Sequence, residues 1–304
     1  MSSVSTQATR AGETEPWTTR RLLGWMTTRF GEAGVESPRV VSEMLIAHVM
    51  SCERLHLYMD VDRRATDTER RRLRDLVGRA VLHEPVQYLV GEAWFFSRPF
   101  TVGPSVLVPR QCTEMLIEHL TQWWRGESGT LRVADIGTGS GCIAVSIAAQ
   151  FPDATVVATD VSSEALDVAH GNATRHGVSE RIGFFEGDGL EALEKAGYDG
   201  FDAIVTNPPY IPDAEWEDVP DNVRLHEPSD ALRGGHDGLD VARPIIRGAA
   251  RYLRPSGRLL MEVGHSAREA VLRVVAESDG LTGGEVHRDH EGLWRLLTAS
   301  RQHS

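Results

Sequence analysis

The stretch Val133-Ala134-Asp135-Ile136-Gly137-Thr138-Gly139-Ser140-Gly141 decides how this chain is read. An apolar run with the look of a strand stops at three alternate glycines, and the apolar residues 142–151 that follow predict a helix. Glycines so placed let the backbone turn sharply and come close to a ligand at a helix N-terminus. Asp160 closes the next predicted strand, nineteen residues after Gly141, where a carboxylate can accept hydrogen bonds from ribose hydroxyls. A nicotinamide dinucleotide site uses similar parts, and a glycine loop alone does not separate the two. The spacing GxGxG in place of GxGxxG, with Asp135 ahead of it, favours S-adenosyl-L-methionine. Asp135 would face the cationic methionine end of that molecule and would repel a pyrophosphate.

Outward from this loop, strands are predicted at 131–136, 155–159, 182–185, 203–206 and 258–263. Between them lie helices at 142–151, at about 163–176 with Gly177 as C-cap, and along Ala242, Ile245, Ile246, Ala249, Tyr252 and Leu253. Such alternation predicts an α/β unit over 111–304, with a parallel sheet covered by helices on both faces. Upstream, Val40, Val41, Met44, Leu45, His48 and Val49 recur at helix spacing. Thr66-x-x-Glu69 is a capping-box pattern ahead of the stripe Leu73, Leu76, Val77, Ala80 and Val81, and Pro85 ends that helix. A small helical domain is expected over 16–90. Residues 91–110, aromatic and β-branched but broken by Gly and Pro, predict a β-hairpin linker. The polar residues 1–15 lack an apolar core and read as a disordered tail, not a signal peptide.

Composition narrows the function. With 41% hydrophobic and 25% charged residues the chain can bury a full core, and no run of eighteen apolar residues offers a membrane span. It is expected to be soluble and cytoplasmic, without membrane partners. The net charge of −12 argues against a long nucleic-acid footprint, because phosphate neutralisation supplies most of such affinity. The run Arg70-Arg71-Arg72 with Arg74 is read as a solvated helix face. Cys52, Cys112 and Cys142 form no CxxC, there is no HExxH, and His287 and His290 lack further ligands nearby. No metal is expected, and the scattered thiols suit a reducing compartment.

Asn207-Pro208-Pro209-Tyr210 follows directly on the predicted strand 203–206, about seventy residues after the glycine loop. That places it at the carboxyl end of a parallel strand, where ligands bind in open α/β sheets. An amide nitrogen is a poor nucleophile because its lone pair is delocalised. The Asn207 oxygen can accept one N–H of such a substrate and the Pro208 carbonyl the other, while the rings of Pro208 and Pro209 stiffen the backbone. The pair would hold the nitrogen in line with a donor methyl, and Tyr210 would supply a flat wall.

With these motifs in hand, the chain resembles the release-factor glutamine methyltransferase family over about residues 20–300. The resemblance is carried by the N-terminal helices, residues 91–110, DIGTGSG at 135–141, NPPY at 207–210 and HEPSDALRGGHDGLD at 226–240. It implies a Rossmann-like class I S-adenosylmethionine-dependent methyltransferase domain preceded by a small helical substrate-docking domain. The implied substrate is the glutamine of the Gly-Gly-Gln loop of peptide chain release factors, and close relatives modify a ribosomal-protein glutamine. It further implies that Gly137, Thr138, Gly139, Ser140, Gly141 and Asp160 hold the cofactor, with Asp188 and Gly189 beside the adenine. Asn207, Pro208, Pro209 and Tyr210 would hold the glutamine amide. Gly189 departs from the aromatic residue usual there, and Gln111-Cys112 departs from the usual Pro and acidic residue.

Other residues carry paired readings. Phe95, with Trp94 and Phe96, is read either as wall of the glutamine tunnel or as core. Arg110 and Glu114 either order the active-site lid or form a surface ion pair. His226 and Glu227 are expected to close the loop after NPPY, Trp123 and Trp124 to pack, and Cys142 to be buried and inert. Competing functions are an N-methyltransferase on a nucleic-acid base, a ribosomal-protein or natural-product amide methyltransferase, a dinucleotide oxidoreductase and a non-catalytic binding module. A monomer is expected.

Overall fold

The computed structural model describes residues 16–197 and 200–303, so the tail expected over 1–15 lies outside them. The chain divides into two compact units, one through Val90 and one from Gly91.

The first unit is helical. Its main helices are Thr19–Glu32, Pro38–Met50 and Asp67–Ala80, with short turns His56–Met59 and Val86–Val90. Leu22, Leu23, Met26 and Phe30 pack with Leu45, Ile46, Val49, Leu73, Leu76 and Val77 as one core. The capping box forms: the Thr66 side chain accepts from the Glu69 amide, and Glu69 accepts from the Thr66 amide. The Asp67–Ala80 helix stops before Pro85, at Val81. Arg71, Arg72 and Arg74 are exposed, as a solvated face requires. Glu43 is buried, and it accepts hydrogen bonds from Arg39, Arg54 and Tyr58.

The second unit opens with a hairpin, β1 (Glu92–Phe95) and β2 (Arg98–Thr101). Its seven-stranded sheet contains β3 (Arg132–Ile136), β4 (Thr155–Asp160), β5 (Ile182–Glu186), β6 (Phe201–Thr206), β7 (Leu253–Glu262), β8 (Leu281–Arg288) and β9 (Trp294–Arg301). The strand order is β5-β4-β3-β6-β7-β9-β8, so strands are added first to one side of β3 and then, from β6, to the other. Strands β3 to β7 pair in parallel, as expected, and β9, antiparallel to both β7 and β8, lies with β8 beyond the predicted strands.

Alternate residues of each central strand feed opposite layers, as the pleat demands. Val133, Val156, Ala203 and Val205 meet the helices Glu114–Trp124 and Cys142–Gln150. Ala134, Val157, Ile204 and Leu259 meet Ala242–Tyr252 and Arg268–Ala276. Both faces are dry, which is why these strands read as continuous apolar runs.

The hairpin belongs to this unit and is not a free linker. Asn172, fully buried on the helix Ser163–Arg175, accepts the Thr101 amide at 2.8 Å and donates to the Thr101 carbonyl at 3.0 Å. Its second donor contact, 2.9 Å to the Ser140 carbonyl, ties the same clamp to the glycine loop.

Candidate active site

Gly137, Gly139 and Gly141 all have positive φ, at 70°, 55° and 77°, so each needs the freedom that only glycine has without strain. A side chain on Gly141 would also meet Ala169 at 3.0 Å. The loop is anchored from the neighbouring strand: the Gly137 and Thr138 amides both donate to the Thr159 carbonyl at 2.9 Å. Asp160 at the end of β4 accepts the Gly139 amide on one oxygen at 2.8 Å and the Ser162 amide on the other at 3.0 Å. These bonds hold the carboxylate rigid while leaving further lone pairs on each oxygen.

Between these loops lies a cavity of about 420 Å³. Its walls include Gly137, Thr138, Gly139, Ser140, Asp160, Asp188 and Gly189 together with Arg110, Asn207, Pro208 and Pro209. Val161 and Ile245 add apolar surface, Ile245 beside Gly189. Gly189 itself has φ 46° with no atom closer than 4.0 Å to an added Cβ, so strain and not crowding disfavours a side chain there.

Four expected contact residues stand elsewhere. Asp135 does not face the cavity. Its fully buried carboxylate turns back to accept from the Thr138 hydroxyl at 2.7 Å and the Ala144 amide at 3.1 Å. It thus shapes the loop from behind, and burial pushes its pKa up to about 7. Gly141 also sits behind the loop, packed on Ala169. Phe95 is core, only 1% exposed and edge-to-face with Phe100, because strand alternation turns it inward and leaves Trp94 exposed. Tyr210 is not a cavity wall either: its hydroxyl donates to Glu262 at 3.1 Å.

Arg110 and Glu114 do not pair with one another. Arg110 binds Glu227, which is buried and also accepts the Val108 amide at 3.0 Å. The Glu114 carboxylate accepts the Phe96 amide at 2.7 Å. Glu227 therefore straps residues 108–110 to the segment after NPPY. Cys142 is buried with its pKa pushed up to about 12 by desolvation, so it is a neutral thiol. Among the described residues no cluster of His, Cys, Asp and Glu suits a metal ion, and no helix is long and apolar enough to cross a membrane.

Sequence reasoning missed two members of this site, Thr113 and Glu262. Thr206 and Met261 are register partners, so Asn207 and Glu262 emerge side by side at the carboxyl ends of β6 and β7. Buried Thr113 donates to Glu262 at 2.6 Å and accepts from the Asn207 amide nitrogen at 3.4 Å. Cys112 donates to Glu262 at 3.6 Å. Burial raises the Glu262 pKa, against the pull of Thr113, Tyr210 and Arg295. The available signal was a lone carboxylate closing the apolar run Leu259-Leu260-Met261.

Comparison with known proteins decides the family. The PrmC N-terminal domain matches residues 21–91 and the methyltransferase small domain residues 110–222. The release factor glutamine methyltransferase of Geobacter sulfurreducens is 42% identical over 93% of this chain and 96% of its own length. That of Chlorobaculum tepidum is 38% identical over 95% of this chain and 99% of its own length. The chain belongs to the release factor glutamine methyltransferase family. It is an S-adenosylmethionine-dependent methyltransferase. Among solved structures, the T. thermophilus 16S rRNA methyltransferase in complex with AdoMet and guanosine superposes with a TM-score of 0.51. It is 22% identical over 69% of this chain and 50% of that chain, a likeness of fold.

The family's methyl donor fits the geometry of this groove. Positive-φ glycines expose backbone, the fixed Asp160 carboxylate has lone pairs to spare, and apolar Val161 and Ile245 border the far end.

Proposed function

We propose that this chain methylates the side-chain amide nitrogen of the glutamine in the Gly-Gly-Gln motif of peptide chain release factors. The observation that carries this reading is the orientation of Asn207. Its amide nitrogen lies within hydrogen-bond reach of the Thr113 hydroxyl, at 3.4 Å, and this orientation reserves the oxygen as an acceptor for the substrate. An acceptor is what a primary amide nitrogen needs, and the Pro208 carbonyl supplies a second on a backbone stiffened by two prolines.

Bound S-adenosylmethionine supplies an electrophilic methyl on a sulfonium. Asp160 is assigned to its ribose hydroxyls, residues 137–140 to its methionine end and Asp188 with Gly189 to its adenine edge. Asn207 and Pro208 would accept both N–H groups of the substrate and so hold its nitrogen lone pair towards the methyl; the C–N bond would form as the methyl–sulfur bond breaks, with S-adenosylhomocysteine as the leaving group. The methylated nitrogen would then give up its surplus proton to water, and no base is needed before transfer. In this reading the chain acts in the cytoplasm as a monomer that meets its protein substrate transiently.

The test is incubation with labelled S-adenosylmethionine and an intact release factor, with ribosomal protein and DNA as controls, read by peptide mass spectrometry. One methyl on the Gly-Gly-Gln glutamine is expected. Asn207→Ala should abolish transfer and leave cofactor binding largely intact; turnover retained in that variant would defeat the assigned role.

A further inference from the structure

An asparagine amide is ambiguous. One end accepts and the other donates, and a half-turn about its last bond exchanges them. Were Asn207 turned over, two donors would face each other across the cavity and the substrate nitrogen would be pushed away. Something must therefore hold the nitrogen end of Asn207 away from the substrate. Thr113 is the neighbour in position to do so, with its hydroxyl oxygen 3.4 Å from that nitrogen. A hydroxyl accepts reliably only when its own proton is engaged elsewhere. Here that proton is engaged: Thr113 donates to Glu262 at 2.6 Å.

We infer that Glu262 and Thr113 form a polarity relay, positioning Asn207 with its oxygen toward the substrate amide. This rests on the proposed role of Asn207 as the amide acceptor. Glu262 suits the duty because it stands only 2% exposed at the end of β7, away from competing water. Three X–H groups converge on its two oxygens: Thr113 on one, Tyr210 and Cys112 on the other. Each of those protons is thereby drawn away from the cavity. Tyr210 is thus assigned to the frame of the site, consistent with its absence from the cavity wall. Neither Glu262 nor Thr113 touches the reacting atoms in this scheme; both act through Asn207.

Thr113→Val keeps the shape of the side chain and removes both halves of the relay, whereas Thr113→Ser keeps the hydroxyl. In the full-length chain with an intact release factor, Thr113→Val is expected to lower kcat/KM by about 10- to 100-fold. Its affinity for S-adenosylmethionine should be unchanged, and Thr113→Ser should restore most of the loss. Glu262→Gln, which places a donor where the scheme requires acceptors, is expected to share the defect. A role in packing alone would make valine the milder replacement and serine the more harmful one, and that pattern overturns the inference.

A second readout needs no substrate. The side-chain amide protons of Asn207, assigned by their disappearance in Asn207→Ala, should shift and exchange faster in Thr113→Val and return in Thr113→Ser. Unchanged resonances in Thr113→Val overturn the relay even if the release factor proves not to be the substrate. Wild-type enzyme that binds cofactor but leaves the release factor unmethylated would instead defeat the substrate reading, with these resonances still deciding the relay.

Discussion

At the scale of single residues, the motifs marked the site but not which way each side chain turns. Asn207 and Asp160 lie at the cavity wall, while Asp135, from an equally telling motif, is bent back into the loop it precedes. Its burial has a measurable consequence. A carboxyl whose folded pKa of about 7 exceeds its reference of 3.8 stabilises the fold most fully below pH 4. That contribution is lost as pH rises from there through about 7, because deprotonation then leaves a charge in a dry place. Asp135→Asn does not titrate. Its stability relative to the parent should therefore improve steadily between about pH 4 and pH 7. Urea unfolding at several pH values checks this, and parallel profiles for the two proteins would refute it.

At the scale of elements, the hairpin after the helical unit is held by a buried asparagine. Asn172 satisfies Thr101 in both directions and caps the Ser140 carbonyl of the glycine loop. Its position was legible as a polar residue on an otherwise small, apolar stripe with Ala165, Ala169 and Ala173, but its partners were not. Thr101 is seventy-one residues away in sequence, and no local pattern announces such a pairing. Asn172→Ala strands those backbone groups and is expected to cost about 2 kcal/mol in unfolding experiments. Since Ser140 lines the cofactor groove, the same variant should bind S-adenosylmethionine more weakly, measurable by calorimetry. Full stability with normal affinity would show that water replaces the amide without loss.

For the whole molecule, the shared fold does not separate the proposed reaction from base methylation, and the net charge of −12 frames the test. The T. thermophilus rRNA enzyme shares the fold at a TM-score of 0.51, so architecture leaves the substrate class open. A net charge of −12 predicts that the chain releases few counterions from a polynucleotide. Affinity for duplex DNA at about 0.15 M salt should then be weaker than about 10⁻⁴ M. Fluorescence anisotropy tests this, and tight, steeply salt-dependent binding would favour the nucleic-acid reading.

The sequence by itself determined the alternation of strands and helices, the glycine loop, the NPPY motif and the family, because each is written in short-range spacing and residue chemistry. Only the tertiary structure decided that Phe95 is core, that Tyr210 turns to Glu262, that Arg110 reaches Glu227 and that Thr113 stands behind Asn207. Those outcomes depend on the register of β6 against β7 and on contacts between residues far apart in the chain. Spacing along a sequence reports which face of an element a residue occupies; what lies opposite that face is settled only when the elements pack.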